Sequence, residues 1–399
     1  MIERGTTRAR WLSGLVIIGV LAAACTTGGG ASTAPSAAAP STAASASAAA
    51  PSEGAPSEAA PSAAAQFTMG FSNTGGTGNG FREEQNCTAK AEALASGQVS
   101  EFTVITHDVD AATQLQDLRD LIAKGVQALV FNPSGPDALN PALAEAKAAG
   151  IKTVSVDAYV TDPDTYNLYN NQIKYAELGA TWLFEQLKGE GSVYYMRGIA
   201  GNSADSDRDI GFKNALKNYP NIKVVPSADG VATDWNPATA TKLANEFISS
   251  GQYDTIQGIW TSGIDSEVVD AIKAAKKPFV PIVGTDRGSF TKQLLDPAGY
   301  PDLKGAAVTN TAAVGGAGVA LALKLLKGEA VETDPSATQP NTVLLVPVIA
   351  DNLTDEGKAT LDSWQSVEGL TPTWPLGLEI PGWTTYTPDQ AVACKGPGE

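Results

Sequence analysis

Polar side chains gather where the apolar runs of this chain stop. Asn73, Asp108, Asn132, Asp157, Asn170 with Asn171, Arg208, Ser262, Asp286 and Asn310 each end or follow a stretch that reads as a strand. Carboxylates, carboxamides and a guanidinium together suit a neutral polyhydroxyl ligand, because every hydroxyl both donates and accepts a hydrogen bond. Planar groups also hold their direction better than a serine hydroxyl or a lysine ammonium. Taken one at a time, these residues read equally well as turns or helix caps, since Asn and Asp favour such places on local grounds. Arg208 stands apart. It falls in the first turn of a helix opening at Ser203–Asp205, where a cation opposes the helix dipole, so its charge serves something outside the helix.

Other chemistries find less support. Asp157 and Asp286 would be the carboxylate pair of an anchored glycoside hydrolase, the rival enzymatic reading, but the strand–helix units fall short of an eightfold barrel. His107 is the single histidine, and no Gly-x-Ser-x-Gly elbow exists for it to serve; it reads as a loop residue at a cleft edge. Asp205-x-Asp207-x-Asp209 opens like a calcium loop, but Ile210 stands at its sixth position and no Glu closes it. A solvated acidic helix start explains it better. Gly70–Gly80 is glycine-rich without the Lys-Ser/Thr of a phosphate loop. With one histidine and no Cys-x-x-Cys, no metal is expected, and no cofactor either.

These residues need a scaffold, and the hydrophobic pattern supplies one. Phe67–Asn73 reads as a strand, followed by a glycine-rich loop and a helix to about Ala95. A strand at Glu101–Thr106 precedes a helix whose Leu115, Leu118, Leu121 and Ile122 share one face. Ala128–Phe131 is a continuous apolar run, as in parallel sheets buried on both faces. A helix at Pro141–Ala149 and a strand at Lys152–Val156 repeat the unit, which recurs near Gly191, Ile222, Thr255 and Phe279. Such alternation predicts an α/β fold of parallel sheets with right-handed crossovers.

Gly191–Asn214 carries the most specific signal. A buried strand (Val193–Met196) runs into a turn with Gly198 and Gly201, then into the helix bearing Arg208 and Gly211-Phe212. Gly-Ile-Ala-Gly-Asn-Ser-Ala with that Arg and Gly-Phe resembles the ribose-type periplasmic sugar-binding proteins of ABC importers, over roughly Phe67–Pro347. The resemblance implies two lobes, each a parallel sheet flanked by helices, with a ligand cleft between them. It implies crossings near Asn170, Asn310 and Asn341, so that 66–170 plus 311–340 form one lobe and 171–310 plus 341–399 the other.

It also implies roles. Arg208, Asp157 and Asp286 match the family's sugar-binding Arg and its two sugar-binding Asp residues, and Trp235 matches an aromatic that stacks on the sugar ring. Asn310 or Thr309 matches a polar hinge contact. Near Asn73 the family often places aromatics where this chain has Thr74–Gly80, which leaves Phe81 or Trp260 to supply the stack. Ala158 and Tyr159 follow Asp157 in place of the Arg of ribose binders, and Ser262 stands where an Asn-Asp pair is usual. Asp351–Glu399 lies mostly beyond the resemblance. It either caps the cleft or braces the second lobe against Cys87, and its Trp364, Trp374 and Trp383 read as core.

The amino terminus concerns address rather than fold. Arg4, Arg8 and Arg10 precede an apolar run, Trp11–Ala23, too short to span a bilayer as a mature helix. Leu21-Ala22-Ala23-Ala24-Cys25 resembles a lipobox, with residues 1–24 removed as the leader and Cys25 taking the lipid. Thr26–Ala65 is almost wholly Ala, Ser, Pro, Thr and Gly, a composition that cannot offset its ordering entropy, so 25–65 reads as a tether. Cys87 and Cys394 then remain as an even pair in an oxidising compartment, expected to form a disulfide. The net charge of −16 speaks against nucleic acid and anionic membrane surfaces as partners. The expected protein is a monomeric, lipid-anchored solute-binding protein on the outer face of the cell membrane or in the periplasm. It takes a monosaccharide or polyol and meets an ABC permease; a receptor domain reporting to a membrane sensor is the other non-enzymatic reading.

Overall fold

The computed structural model describes residues 66–75, 78–107, 110–364 and 367–399, all within the unit Ser62–Glu399. The expected leader, the lipidation site Cys25, the tether and Asp108 lie outside the described residues. The first half runs β1 (Phe67–Thr74), α1 (Gly80–Ala95), β2 (Val99–His107), α2 (Ala111–Ala123), β3 (Ala128–Phe131), α3 (Asn140–Ala148), β4 (Lys152–Val156), β5 (Tyr166–Asn170). The second half runs α4 (Gln172–Gln186), β6 (Glu190–Arg197), α5 (Ser203–Leu216), β7 (Asn221–Val225), β8 (Val231–Ala232), α6 (Pro237–Ser249), β9 (Gly258–Trp260), α7 (Asp265–Ala274), β10 (Ile282–Thr285), α8 (Gly288–Leu294), β11 (Gly305–Val308). The chain ends with α9 (Val314–Lys327), β12 (Thr342–Leu345), β13 (Ile349–Asp351), α10 (Asp355–Ser363) and α11 (Pro388–Ala393).

Among the described residues two sheets form. One has the order β12-β5-β4-β3-β1-β2 and the other β13-β11-β10-β9-β6-β7, with β8 beside β6. Neighbours are parallel except β11 and β13. Helices cover both faces, which is why β3 and β10 are buried throughout. On α2, Leu118 and Leu121 are fully buried and Leu115 and Ile122 pack against the same core. Local caps fix the helix starts: Asp110 accepts from Ala112 and Thr113, Asn171 from Lys174, Asn202 from Ala204 and Asn236 from Thr239. Asn171 is therefore a cap.

The chain passes between the sheets after β5, after β11 and a third time between β12 and β13. That third passage lies at 346–348, beyond the expected Asn341, because Thr342–Leu345 pairs with β5 and Val343 joins the first-half core. The expected assignment of 341–399 to the second half needs a further correction. Trp364, after α10, packs on the second-half core, but Trp383 packs on that of the first half, and Trp374 and α11 cluster with Cys87 and Ala91 of α1. Cys394, just past α11, is disulfide-bonded to Cys87 with 4.3 Å between their Cα atoms.

Helices α4 and α5 pack so closely that Gly211 has no room for a side chain: a Cβ there would stand 2.1 Å from the Ile173 carbonyl oxygen. Gly211→Ala should therefore destabilise by roughly 1–3 kcal/mol through overpacking, although helix propensity alone would favour Ala by about 1 kcal/mol. Thermal unfolding of the variant decides between the two; a raised melting temperature would show that the helices separate freely.

Candidate ligand-binding site

A cavity opens where the two halves face each other at the carboxyl ends of their strands, the usual ligand position in open α/β sheets. Asp157 enters from the loop after β4, while Phe81 and Arg82 stand at the start of α1. The second half contributes Arg208 from α5, Trp235 from the turn before α6, Ser262 after β9, and Asn310 after β11.

Arg208 is 3% exposed and fully determined in direction. Its Nε donates to Gln172 Oε1 at 2.8 Å and its Nη1 to the Ser262 carbonyl at 3.1 Å. The guanidinium lies 4.3 Å from the Tyr175 ring centroid and 5.5 Å from that of Trp235, within cation–π range. Its hydrogen-bond partners are neutral. Asn202 caps the helix, and Arg208 is its sixth residue, in the second turn rather than the expected first.

Trp235 is set by unusual backbone. Asp234 and Trp235 have φ of 55° and 48°, and Asp157 across the cavity has 67°. Non-glycine residues held in this region mark places where the surroundings over-determine the chain, often functional ones. The Trp235 indole crosses Gly198 so closely that a Cβ there would lie 2.1 Å from it, and its Nε1 donates to Ser262 Oγ at 3.2 Å.

The first half presents a buried polar cluster. Asn132 Nδ2 donates to Asp157 Oδ2 at 3.1 Å and to Gln85 Oε1 at 2.8 Å, while Arg82 Nη1 stands 3.7 Å from Asp157 Oδ2. Burial raises the Asp157 carboxyl above its ordinary value, and Arg82 and Arg208 oppose that. Gln85 Nε2 and Asn132 Oδ1 remain without partners.

Behind the cavity, Asn310 links the halves. Its Oδ1 accepts from Asn170 Nδ2 at 2.8 Å and from Gln172 Nε2 at 3.0 Å, and its backbone N–H donates to Asp286 Oδ1 at 2.9 Å. Asn170 and Asp286 thus hold Asn310 from behind and do not line the cavity. Asn73 is also set back, with its Nδ2 donating to the Arg82 carbonyl and to Asn86 Oδ1. Trp260 does not reach the cavity: it is 1% exposed and edge-packed against Tyr175, Tyr195 and Phe212 in the core. Because strand side chains alternate between faces, residue type alone could not say which face Trp260 takes.

Several lining residues escape sequence reasoning. Arg82 follows the glycine-rich loop, and Arg287 follows Asp286 but is neutralised by a two-pronged ion pair with Glu267, at 2.8 and 3.0 Å. Gln172, which orients Arg208, is recognisable only once the crossing after β5 is seen. Thr373 and Pro375 come from the carboxyl-terminal segment. Among the described residues no His/Cys/Asp/Glu group could hold a metal ion. Asp205 bonds Arg197 and the Gly198 N–H, and Asp209 pairs with Lys213. His107 ends β2 against Asp117 at 2.9 Å.

Residues 69–330 match the model of a periplasmic binding protein domain. The chain belongs to the periplasmic binding protein family. It is 30% identical over 58% of its length to a xylitol-binding protein of Mycolicibacterium smegmatis, covering 65% of that protein. It is 29% identical to a galactofuranose-binding protein of Escherichia coli over 53% of this chain and 67% of that one. The chain thus spans about two thirds of the length of these curated relatives. An ABC transporter solute-binding protein from Thermobispora bispora superposes with a TM-score of 0.65 at 25% identity, over 77% of this chain and 89% of that one. These relatives are binding proteins, not enzymes, and the two-lobed α/β fold is that of type I periplasmic binding proteins. Among the described residues no helix is long and apolar enough to cross a membrane.

Burial, chiefly, pushes the Asp286 carboxyl up to about 7. A carboxyl whose native value lies above its unfolded value binds extra protons in the native state between the two, so stability falls as pH rises from about 4 to 7. Asp286→Asn should remove that slope. At pH 8 the variant should gain, relative to pH 4, on the order of 4 kcal/mol over the wild type, at 1.36 kcal/mol per unit. Denaturant unfolding at both pH values measures it, and parallel profiles for the two proteins would contradict it.

Proposed function

We propose that this chain captures a small neutral sugar or polyol between its two halves and presents it, in the closed form, to an ABC import permease. The observation that carries the reading is one buried guanidinium, Arg208, held by neutral acceptors beside the Trp235 indole and facing the Asp157 carboxylate of the other half. A guanidinium and a carboxylate fork adjacent hydroxyls, and an indole packs against the C–H face of a sugar ring. Two of the three lining arginines are ion-paired, Arg82 with Asp157 and Arg287 with Glu267. Arg208 is then the one lining guanidinium without an ion pair, and the Asp157 carboxylate near it favours a neutral ligand over an anion.

Binding works by population shift. A ligand that touches both halves has more contacts in the closed state, and only that difference moves the equilibrium. Asp157 and Arg82 on one side, and Arg208, Trp235, Ser262 and Asn310 on the other, are the proposed contacts. Lipid on Cys25 and the 25–65 tether would hold the protein outside the membrane within reach of a permease. Relatives named for xylitol, galactofuranose, apiose and ribose mark out the ligand class to try first.

A thermal-shift panel of xylitol, D-ribose, D-apiose, L-arabinose and galactofuranose tests the reading. A ligand at a hundredfold excess over its Kd adds about 2.7 kcal/mol, so one member should raise the melting temperature and be recovered unchanged. Arg208→Lys should weaken that ligand at least about tenfold, because a lysine cannot form the planar fork. An undiminished affinity would remove Arg208 from the site; no shift across the panel would contradict the sugar reading.

A further inference from the structure

The family match ends at residue 330, yet the cavity is closed by residues some forty positions later. Residues 372–376 run beside the segment that leaves β10. The Gly288 N–H donates to the Trp374 carbonyl at 2.9 Å, the Ser289 N–H to the Pro372 carbonyl at 2.6 Å, and the Leu376 N–H to the Asp286 carbonyl at 3.0 Å. Arg287 and Pro375 form an antiparallel bridge. All these partners belong to the second half.

From there the same segment fastens onto the first half. Trp374 Nε1 donates to Glu83 Oε2 at 3.4 Å, and Thr373 passes over the start of α1 so closely that a Cβ on Gly80 would meet its carbonyl oxygen at 2.4 Å. Thr385 donates from its N–H and its hydroxyl to Glu92 at 2.7 and 2.9 Å. Tyr386 is packed against Gly316 of α9, and its hydroxyl donates to the Leu378 carbonyl. Cys394 then bonds covalently to Cys87 of α1, and Glu399 pairs with Lys90 at 2.8 Å.

We propose that this segment is a strap that forms a fourth wall of the ligand cavity, with Thr373 and Pro375 as ligand-selecting residues and the Cys87–Cys394 bridge holding the wall in place. The inference rests on the binding reading for its ligand, but not for its geometry. Three crossings alone would leave the rim between the start of α1 and Arg287 open; the strap fills that rim with Thr373 and Pro375. Tied to α1 covalently and to residues 286–289 by backbone hydrogen bonds, it also restricts how far the halves part.

Amide hydrogen exchange on the full-length protein tests the strap without any ligand. In Cys87→Ser/Cys394→Ser, exchange at Gly288, Ser289 and Leu376 should rise at least about tenfold while the β10 amides stay protected, since local opening is read at the amides it frees. Unchanged protection at those three positions in a variant that still unfolds cooperatively would overturn the role of the bridge. Thr373→Trp, which leaves the disulfide intact, should lower the affinity for whichever of xylitol, D-ribose, D-apiose, L-arabinose and galactofuranose the wild type binds by at least about a hundredfold. Wild-type affinity in that variant would overturn the fourth wall. A wild type that binds none of the five would contradict the sugar reading alone, and the exchange pattern would still decide the strap.

Discussion

The site depends on one buried carboxamide. Asn310 sits at the second passage between the sheets, and its single side-chain oxygen accepts from Asn170, at the end of β5, and from Gln172, at the start of α4. Gln172 in turn uses its own oxygen to aim Arg208. Asn310, Gln172 and Arg208 are all less than a tenth exposed, where an unmet donor or acceptor costs about 1–3 kcal/mol. The amides therefore have one low-energy arrangement, and it fixes the guanidinium relative to both crossings.

Charge placement around it explains why an acidic chain can carry arginines in its cavity. Glu267 neutralises Arg287 and Asp157 faces Arg82, so neither guanidinium needs a charged ligand. Arg208 is stabilised instead by oriented neutral acceptors and two aromatic faces. Farther back, Glu84 is fully buried with neither oxygen bonded, and burial together with Asp286 lifts its carboxyl well above the usual range.

Much of this was legible in the sequence, for identifiable reasons. Strand–helix alternation needs only local hydrophobic period, and the parallel sheets follow from it. Arg208 stood out as a cation close to a helix start, although α5 places it sixth, in the second turn, where the dipole has largely faded. The even cysteine pair pointed to a link between α1 and the tail. What stayed hidden depends on which distant segment lies alongside. Trp260 offers an aromatic at a strand end, but the face it shows is decided by Tyr175 and Phe212, not by its neighbours in sequence. Asn170 and Asp286 stand at strand ends beside the cavity, yet they bond Asn310 rather than line it. The third passage lies past β12 because Val343 fits the first-half core, a choice that four residues of β propensity cannot reveal. Thr373 and Pro375 reach the cavity from a tail with no periodic pattern at all.

The most direct measurement is a crystal structure of the protein with the panel sugar that raises its melting temperature most. Electron density should place that sugar between the halves, with hydroxyl oxygens at hydrogen-bond distance, about 2.6–3.2 Å, from both the Arg208 guanidinium and the Asp157 carboxylate. Its C–H face should lie against Trp235. Density for the sugar on one half alone, or outside the cavity, would contradict the account.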